Sequence, residues 1–180
     1  LPILDVKIVE KYARFPRLND NLPDNWQLDL GNEFHMTGDS HLFSTREGNG
    51  LLALYEGKMI HQFRCDLAEP RYWIKEAVGR RTLLGREQDI GQCLPYQGYR
   101  LAHRAIARST DERTMICAVL PPMTFYGHSL NATKRIMAPN ILLYLSGVLN
   151  SFSFDYALRS MVSANLTMFF IYQMWAPRPA

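Results

Sequence analysis

The sequence predicts an α+β fold: a mixed, mostly antiparallel twisted sheet with long loops and a C-terminal helix pair. Three observations point there. Residues 99–108 carry polar and apolar side chains in a strand-like mix, and the uncharged run Thr114-Met-Ile-Cys-Ala-Val-Leu120 follows a short polar turn, as a hairpin onto a buried strand requires. Ile141, Leu142, Leu145, Val148, Leu149 and Phe152 then recur at helical spacing behind Pro139, a residue suited to a helix start. Strands early and helices late make an α+β arrangement. A chain of 180 residues, 47% hydrophobic and 21% charged, can bury a proper core.

Taken in order, the β-branched residues 3–9 predict a strand, and residues 1–32 read as a lead-in from an upstream domain. Residues 14–29 hold prolines, asparagines and aspartates and read as loop. Residues 33–43 look like two short strands about Thr37-Gly-Asp-Ser40, and residues 71–74 like another strand. Residues 75–98 read as a long basic loop with room for one short helix. Residues 126–131 predict a strand and turn. Asn150-Ser151 breaks the first late helix, a second runs through Phe154, Leu158, Met161 and Val162, and residues 165–174 read as a closing strand.

The bulk numbers exclude little. Lys+Arg 20 against Asp+Glu 17 leaves a net charge of +3, too small to name a partner. Cys65, Cys93 and Cys117 are an odd, widely spaced set, which fits a reducing cytoplasm better than a disulfide framework. The uncharged runs 136–154 and 160–177 are interrupted by polar residues or proline and suit core elements better than membrane spans. The chain opens without Met and closes on Ala-Pro-Arg-Pro-Ala, so a piece of a longer polypeptide is expected.

The chemistry is weighed on two clusters. Leu54-Tyr-Glu-Gly-Lys-Met-Ile-His-Gln-Phe63 sets Tyr55, Glu56, Lys58, His61 and Gln62 among Leu54, Met59, Ile60 and Phe63, which can anchor it in a core. Gly57 permits a close backbone approach. Glu56-Gly-Lys58 has the acid-x-lysine form of metal-dependent nucleases, with Asp39 or Asp24 as a second carboxylate, but such triplets are common, as Asp5-Val-Lys7 shows. The second cluster is basic: Arg71, Arg80, Arg81, Arg86, Arg100, Arg104, Arg108 and Arg113 fall in one third of the chain among Tyr72, Trp73, Tyr96 and Tyr99. Arg100, Arg104 and Arg108 are spaced by four, which puts them on one face of a strand. The candidate nucleic-acid contacts are Lys58, His61, Arg71, Tyr72, Arg80, Arg81, Arg100, Arg104, Arg108 and Arg113, with the neighbouring Ser109 and Thr110. No phosphate loop, Gly-x-Ser-x-Gly, His-Glu-x-x-His or Cys-x-x-Cys motif is present, so no catalytic or metal residue is assigned.

Residues 34–43, residues 54–63 and Tyr99-Arg-Leu-Ala-His-Arg-Ala-Ile-Ala-Arg-Ser-Thr-Asp-Glu-Arg-Thr114, with Leu142-Leu-Tyr-Leu145, residues 149–156 and residues 165–173, resemble the C-terminal, TaqI-like specificity region of bacterial adenine-specific DNA methyltransferases. Such regions occur in Type IIG restriction–modification enzymes and related phage-defence methyltransferases. The resemblance spans about 33–178 and implies that residues 33–180 form a target recognition domain that reads double-stranded DNA. It further implies an upstream methyltransferase domain in the same polypeptide, which would bind S-adenosylmethionine. The family's Asn-Pro-Pro-Tyr/Phe signature and its glycine-rich cofactor motif are absent, so this chain is expected to hold no cofactor and to be non-catalytic by itself. A nuclease centred on Glu56 and Lys58, and a protein-interaction module on helices 139–162, are the alternatives.

Overall fold

The computed structural model describes residues 3–20, 26, 28–162 and 165–178. The fold is α+β, built on two four-stranded sheets and a C-terminal helix pair. Strands β1 (Leu30–Gly31), β5 (Arg100–Arg104), β6 (Cys117–Leu120) and β8 (Leu130–Thr133) make the first sheet, in the antiparallel order β1-β8-β5-β6. Strands β2 (Phe43–Ser44), β3 (Leu51–Tyr55), β4 (Tyr72–Lys75) and β7 (Phe125–Tyr126) make the second, in the order β2-β4-β3-β7, where only β3 and β7 run parallel.

The expected hairpin forms, pairing Arg100 with Leu120 and His103 with Cys117. Alternation along β5 then divides its neighbourhood in two. Leu101 faces a large core with Met115, Cys117, Leu142, Leu145, Leu149, Phe154 and Leu158. Ala102 faces a smaller core with Ala118, Leu120, Leu130, Ala132, Tyr126 and Ile60. Helices α3 (Pro139–Leu149) and α4 (Phe152–Arg159) cover the first of these, as their periodicity predicts, with Ser151 capping α4 through the Phe154 amide. Asn150 at the break fastens this layer to the sheet: its side-chain amide donates to the Cys117 carbonyl at 2.9 Å and accepts from the Cys117 amide at 3.1 Å. No single helix among the described residues is long and apolar enough to cross a membrane; α3 and α4 pass such a test only together and bend by 59° at their break.

Three expectations change, and the short helix allowed in residues 75–98 forms. Residues 3–12 form helix α1 (Ile3–Tyr12), not a strand. Ile8, Val9 and Tyr12 are half-buried at helical spacing while Lys7, Glu10 and Lys11 are exposed, so the burial period overrides β-branched propensity. Residues 165–174 are not a closing strand but contain helix α5 (Met168–Gln173), flanked by single bridges at Asn165 and Trp175. Its Ile171 is buried, as are Leu166 and Met174 on either side, and Tyr172 reaches the Leu30 backbone. Residues 33–43 hold one strand rather than two: Phe34 makes an isolated bridge to Gly127, and a 3₁₀ turn at Ser40–Leu42 leads into β2. The long basic segment contains helix α2 (Glu76–Leu84), at whose Gly79 a Cβ would lie 2.4 Å from the Phe125 ring.

The boundary at residue 32 also moves upstream. Leu18, Leu28 and Leu30 lie in the large core, and the Leu18 amide bonds the Met174 carbonyl at 2.9 Å. A stretch that supplies core side chains belongs to the domain it fills.

Candidate nucleic-acid interface

Beyond Tyr55 the chain leaves β3, makes a 3₁₀ turn at Gly57–Met59 and passes Ile60 beneath the sheet. Leu54, Met59 and Ile60 are buried as expected. Phe63 is not: it is 63% exposed, so its role as an anchor is corrected. Gly57 serves a close approach, but to protein. Its amide donates to Ser129 Oγ at 2.9 Å, and a Cβ there would stand 3.1 Å from the Ser129 carbonyl.

Two adjoining hollows open along this edge. The first, about 300 Å³, is lined by Glu56, Gly57, Lys58, Arg104, Ile106 and Ser129. The second, about 200 Å³, is walled in part by His61, Asp111, Arg113 and Ile116, and it shares Arg104 and Ile106 with the first. Arg104 donates from Nε and one terminal nitrogen to the Ile60 carbonyl, at 3.2 and 2.6 Å. That fixes the guanidinium and leaves its other terminal nitrogen without a protein acceptor among the described residues. Burial pushes the Arg104 pKa down, and Asp111 pulls the other way. In the first hollow Lys58 Nζ stands 3.3 Å from Glu56 Oε2, a buried oxygen with no hydrogen-bond donor aligned on it. Ile106, 65% exposed, floors both. The set combines fixed cations, a carboxylate acceptor and an apolar surface, which suits phosphate contact together with base-edge contact.

The structure brings Lys58, His61, Arg104 and Arg113 together here and separates others. Arg100 is removed from the candidate contacts. It is fully buried, ion-paired with Glu33, bonded to the Thr124 carbonyl and set 4.9 Å over the Tyr126 ring. The even spacing did place Arg100 and Arg104 on one face, but that face is the small core of Ala102, Ala118 and Leu130. Only its far end reaches solvent. Burial pushes the Glu33 carboxyl up to about 7, opposed by Arg100 and by the Tyr126 amide. Arg108 lies beyond β5, where the spacing rule no longer applies; its side chain is exposed and its amide donates to Asp111.

Arg80 is likewise corrected to an organising residue. It holds both Asp89 oxygens at 2.7 and 2.8 Å and the Gln92 carbonyl at 2.8 Å, folding the loop after α2 onto itself. Arg81 is exposed and donates to the Glu87 carbonyl. Arg71 precedes β4 and lies 4.4 Å over the ring of Tyr72, the partner of Leu54, within the field of Glu56. Ser109 offers its carbonyl to Arg159, while Thr110 is exposed. Arg159 also takes the Asp111 and Glu112 carbonyls and pairs with Asp155 at 3.0 Å, so the loop read as a free turn is clamped to α4. Arg113 donates to the Asn150 carbonyl at 2.5 Å and lies over Phe152.

Sequence reasoning missed Ser129, Ile106, Glu33, Asp155 and Arg159. The partners of Ser129 and Glu33 lie 72 and 67 positions away, a distance over which spacing carries no signal, whereas the Asp155–Arg159 pair has a four-residue helical spacing that the sequence did carry. For the nuclease alternative, Asp39 accepts the His35 amide at 2.7 Å within its own turn, and Asp24 lies outside the described residues. Among the described residues no three His, Cys, Asp or Glu side chains gather as a metal site, and Cys65, Cys93 and Cys117 are free. Comparison with family models finds no match to this chain, and comparison with curated proteins finds none either.

Proposed function

We propose that the chain is a sequence-specific DNA recognition module, non-catalytic by itself, of an adenine-specific DNA methyltransferase of the restriction–modification kind. The observation that carries this reading is the pair of joined hollows around Arg104, with Lys58, paired with Glu56, on one side and His61 on the other. Phosphates would meet Lys58 and the free Arg104 nitrogen. Glu56, paired with Lys58 at 3.3 Å through a buried oxygen, would hold that cation toward the groove. The resemblance of residues 33–178 supplies the enzyme class, the double-stranded DNA partner and the upstream methyltransferase domain that would carry S-adenosylmethionine, in a cytoplasmic setting.

A second contact favours that upstream domain as a partner. A hollow of about 470 Å³ between α1 and α4 is lined by Ile8, Phe152 and Tyr156, and Phe152 is 83% exposed. With exposed Phe152 set among the ion-paired Arg113, Asp155 and Arg159, this hollow fits a protein neighbour better than a phosphate backbone.

The test is a DNA-binding titration at several salt concentrations, with wild type and Arg104→Gln. Neutralised phosphates release counterions, so affinity must fall steeply as salt rises. Absence of salt-dependent binding at low salt would reject the reading.

A further inference from the structure

Among the described residues two non-glycines, Phe63 and Met123, take a positive φ, and Phe63 is the more exposed. Its φ is +65°, a left-handed conformation that a bulky L-residue adopts only under constraint, and its ring is 63% exposed. A glycine would make the same turn without strain, and so little burial does not repay the ring's presence. The loop around it is held on all sides. The Phe63 amide donates to the Cys117 carbonyl at 3.0 Å, and His61 and Arg64 exchange backbone bonds at 2.8 and 3.2 Å. Gln62 reaches the Asn150 carbonyl at 3.2 Å, and the Leu67 amide reaches Met59 at 3.1 Å. The ring is therefore presented by a rigid mount.

That mount adjoins the proposed DNA groove. His61 and Ile116 line the second hollow, and Phe63 lies two residues from one and hydrogen-bonds the residue after the other. Asp66 is paired with Arg64 at 3.0 Å and Glu56 with Lys58 at 3.3 Å, while Asp111 and Glu112 share the second hollow with Arg104 and Arg113. Phe152 is more exposed, but Arg113 covers its face at 4.4 Å.

We propose that Phe63 is a stacking wedge that enters the base stack of bound DNA and occupies the space left where a base step opens. The proposal rests on the DNA-recognition reading. Aromatic wedges of this kind lower the cost of unstacking by replacing a lost base–base contact. The strain at Phe63 is then the cost of holding the ring outward in advance of binding.

The experiment compares binding of the 180-residue chain to a short mixed-sequence duplex and to the same duplex with one abasic site. A wedge binds the abasic duplex more tightly, because the stack is already broken. Wild type is expected to prefer it by about tenfold, the size of one base–aromatic stack. Phe63→Gly, which accepts the positive φ, is expected to lose the preference, keep the salt dependence and melt no lower than wild type. Phe63→Trp should retain the preference. Unchanged preference in Phe63→Gly, or a lowered melting temperature with binding intact, would overturn the wedge while leaving DNA recognition standing; the latter would mark a structural ring or a protein contact. If wild type binds neither duplex at any salt, the recognition reading falls and the wedge with it.

Discussion

Arg100 and Arg104 sit on one face of one strand, four residues apart, and meet opposite fates. At the Arg100 end the two sheets close over the guanidinium, and Glu33, Thr124 and Tyr126 satisfy it. At the Arg104 end the strand runs out, the Gly57 turn passes beside it, and the guanidinium is half fixed and half free in an open hollow. The lesson is that spacing fixes which side of a strand a residue faces, while the position of the core edge along that strand decides whether it becomes structural or available.

The largest expected effect lies at the closed end. Arg100→Ala leaves Glu33 buried without its cation, and breaking such a pair costs about 3–5 kcal/mol. Denaturant unfolding should show that loss, and a change under 1 kcal/mol would mean the pair is not closed as described.

Next in size is a pH effect at the same strand. Burial pushes His103 down to about 4 from its usual 6.5, and Glu33 up to about 7 from 4.5. Below 6.5 an unfolded chain protonates His103 while the folded one does not, so this group removes stability as pH falls toward 4. Glu33 acts in the opposite sense: between 7 and 4.5 the folded chain takes the proton first, and stability rises as pH falls. The two offset in wild type between about 4.5 and 6.5. His103→Gln should expose the Glu33 slope, so that stability rises as pH falls from 7 toward 4.5 where the wild-type profile stays flat. Thermal melts across that range check it.

At the open end the effects move from stability to binding. Arg104→Gln should leave the fold within about 1 kcal/mol, because one bonded carbonyl changes. It should weaken DNA binding by about 1–3 kcal/mol. Lys58→Gln is smaller still. Its pair with Glu56, exposed on the lysine side, adds about 1 kcal/mol to stability, and loss of one phosphate contact should lower the salt slope by roughly 0.9. A Lys58→Gln variant that lost binding wholly would mean Glu56 depends on Lys58 for its position.

Much of this comparison was legible in the sequence. The hairpin and the helix pair with its break at Asn150 follow from periodicity and turn chemistry, which are local. The fates of the arginines were not legible, because Glu33 is 67 positions from Arg100 and no pattern links them. Helix α5 hid behind aromatic residues whose β propensity outweighs a six-residue period. Arg80 looked like a free cation because Asp89 and Gln92 follow it across a loop whose closure the sequence does not specify.

The most direct test of the division along β5 is the salt dependence of DNA binding by wild type and Arg104→Gln under identical conditions. A weaker affinity and a logarithmic slope shallower by about one in Arg104→Gln, with an unchanged melting temperature, is the expected result. Equal affinity and equal slope in the two proteins would contradict the account.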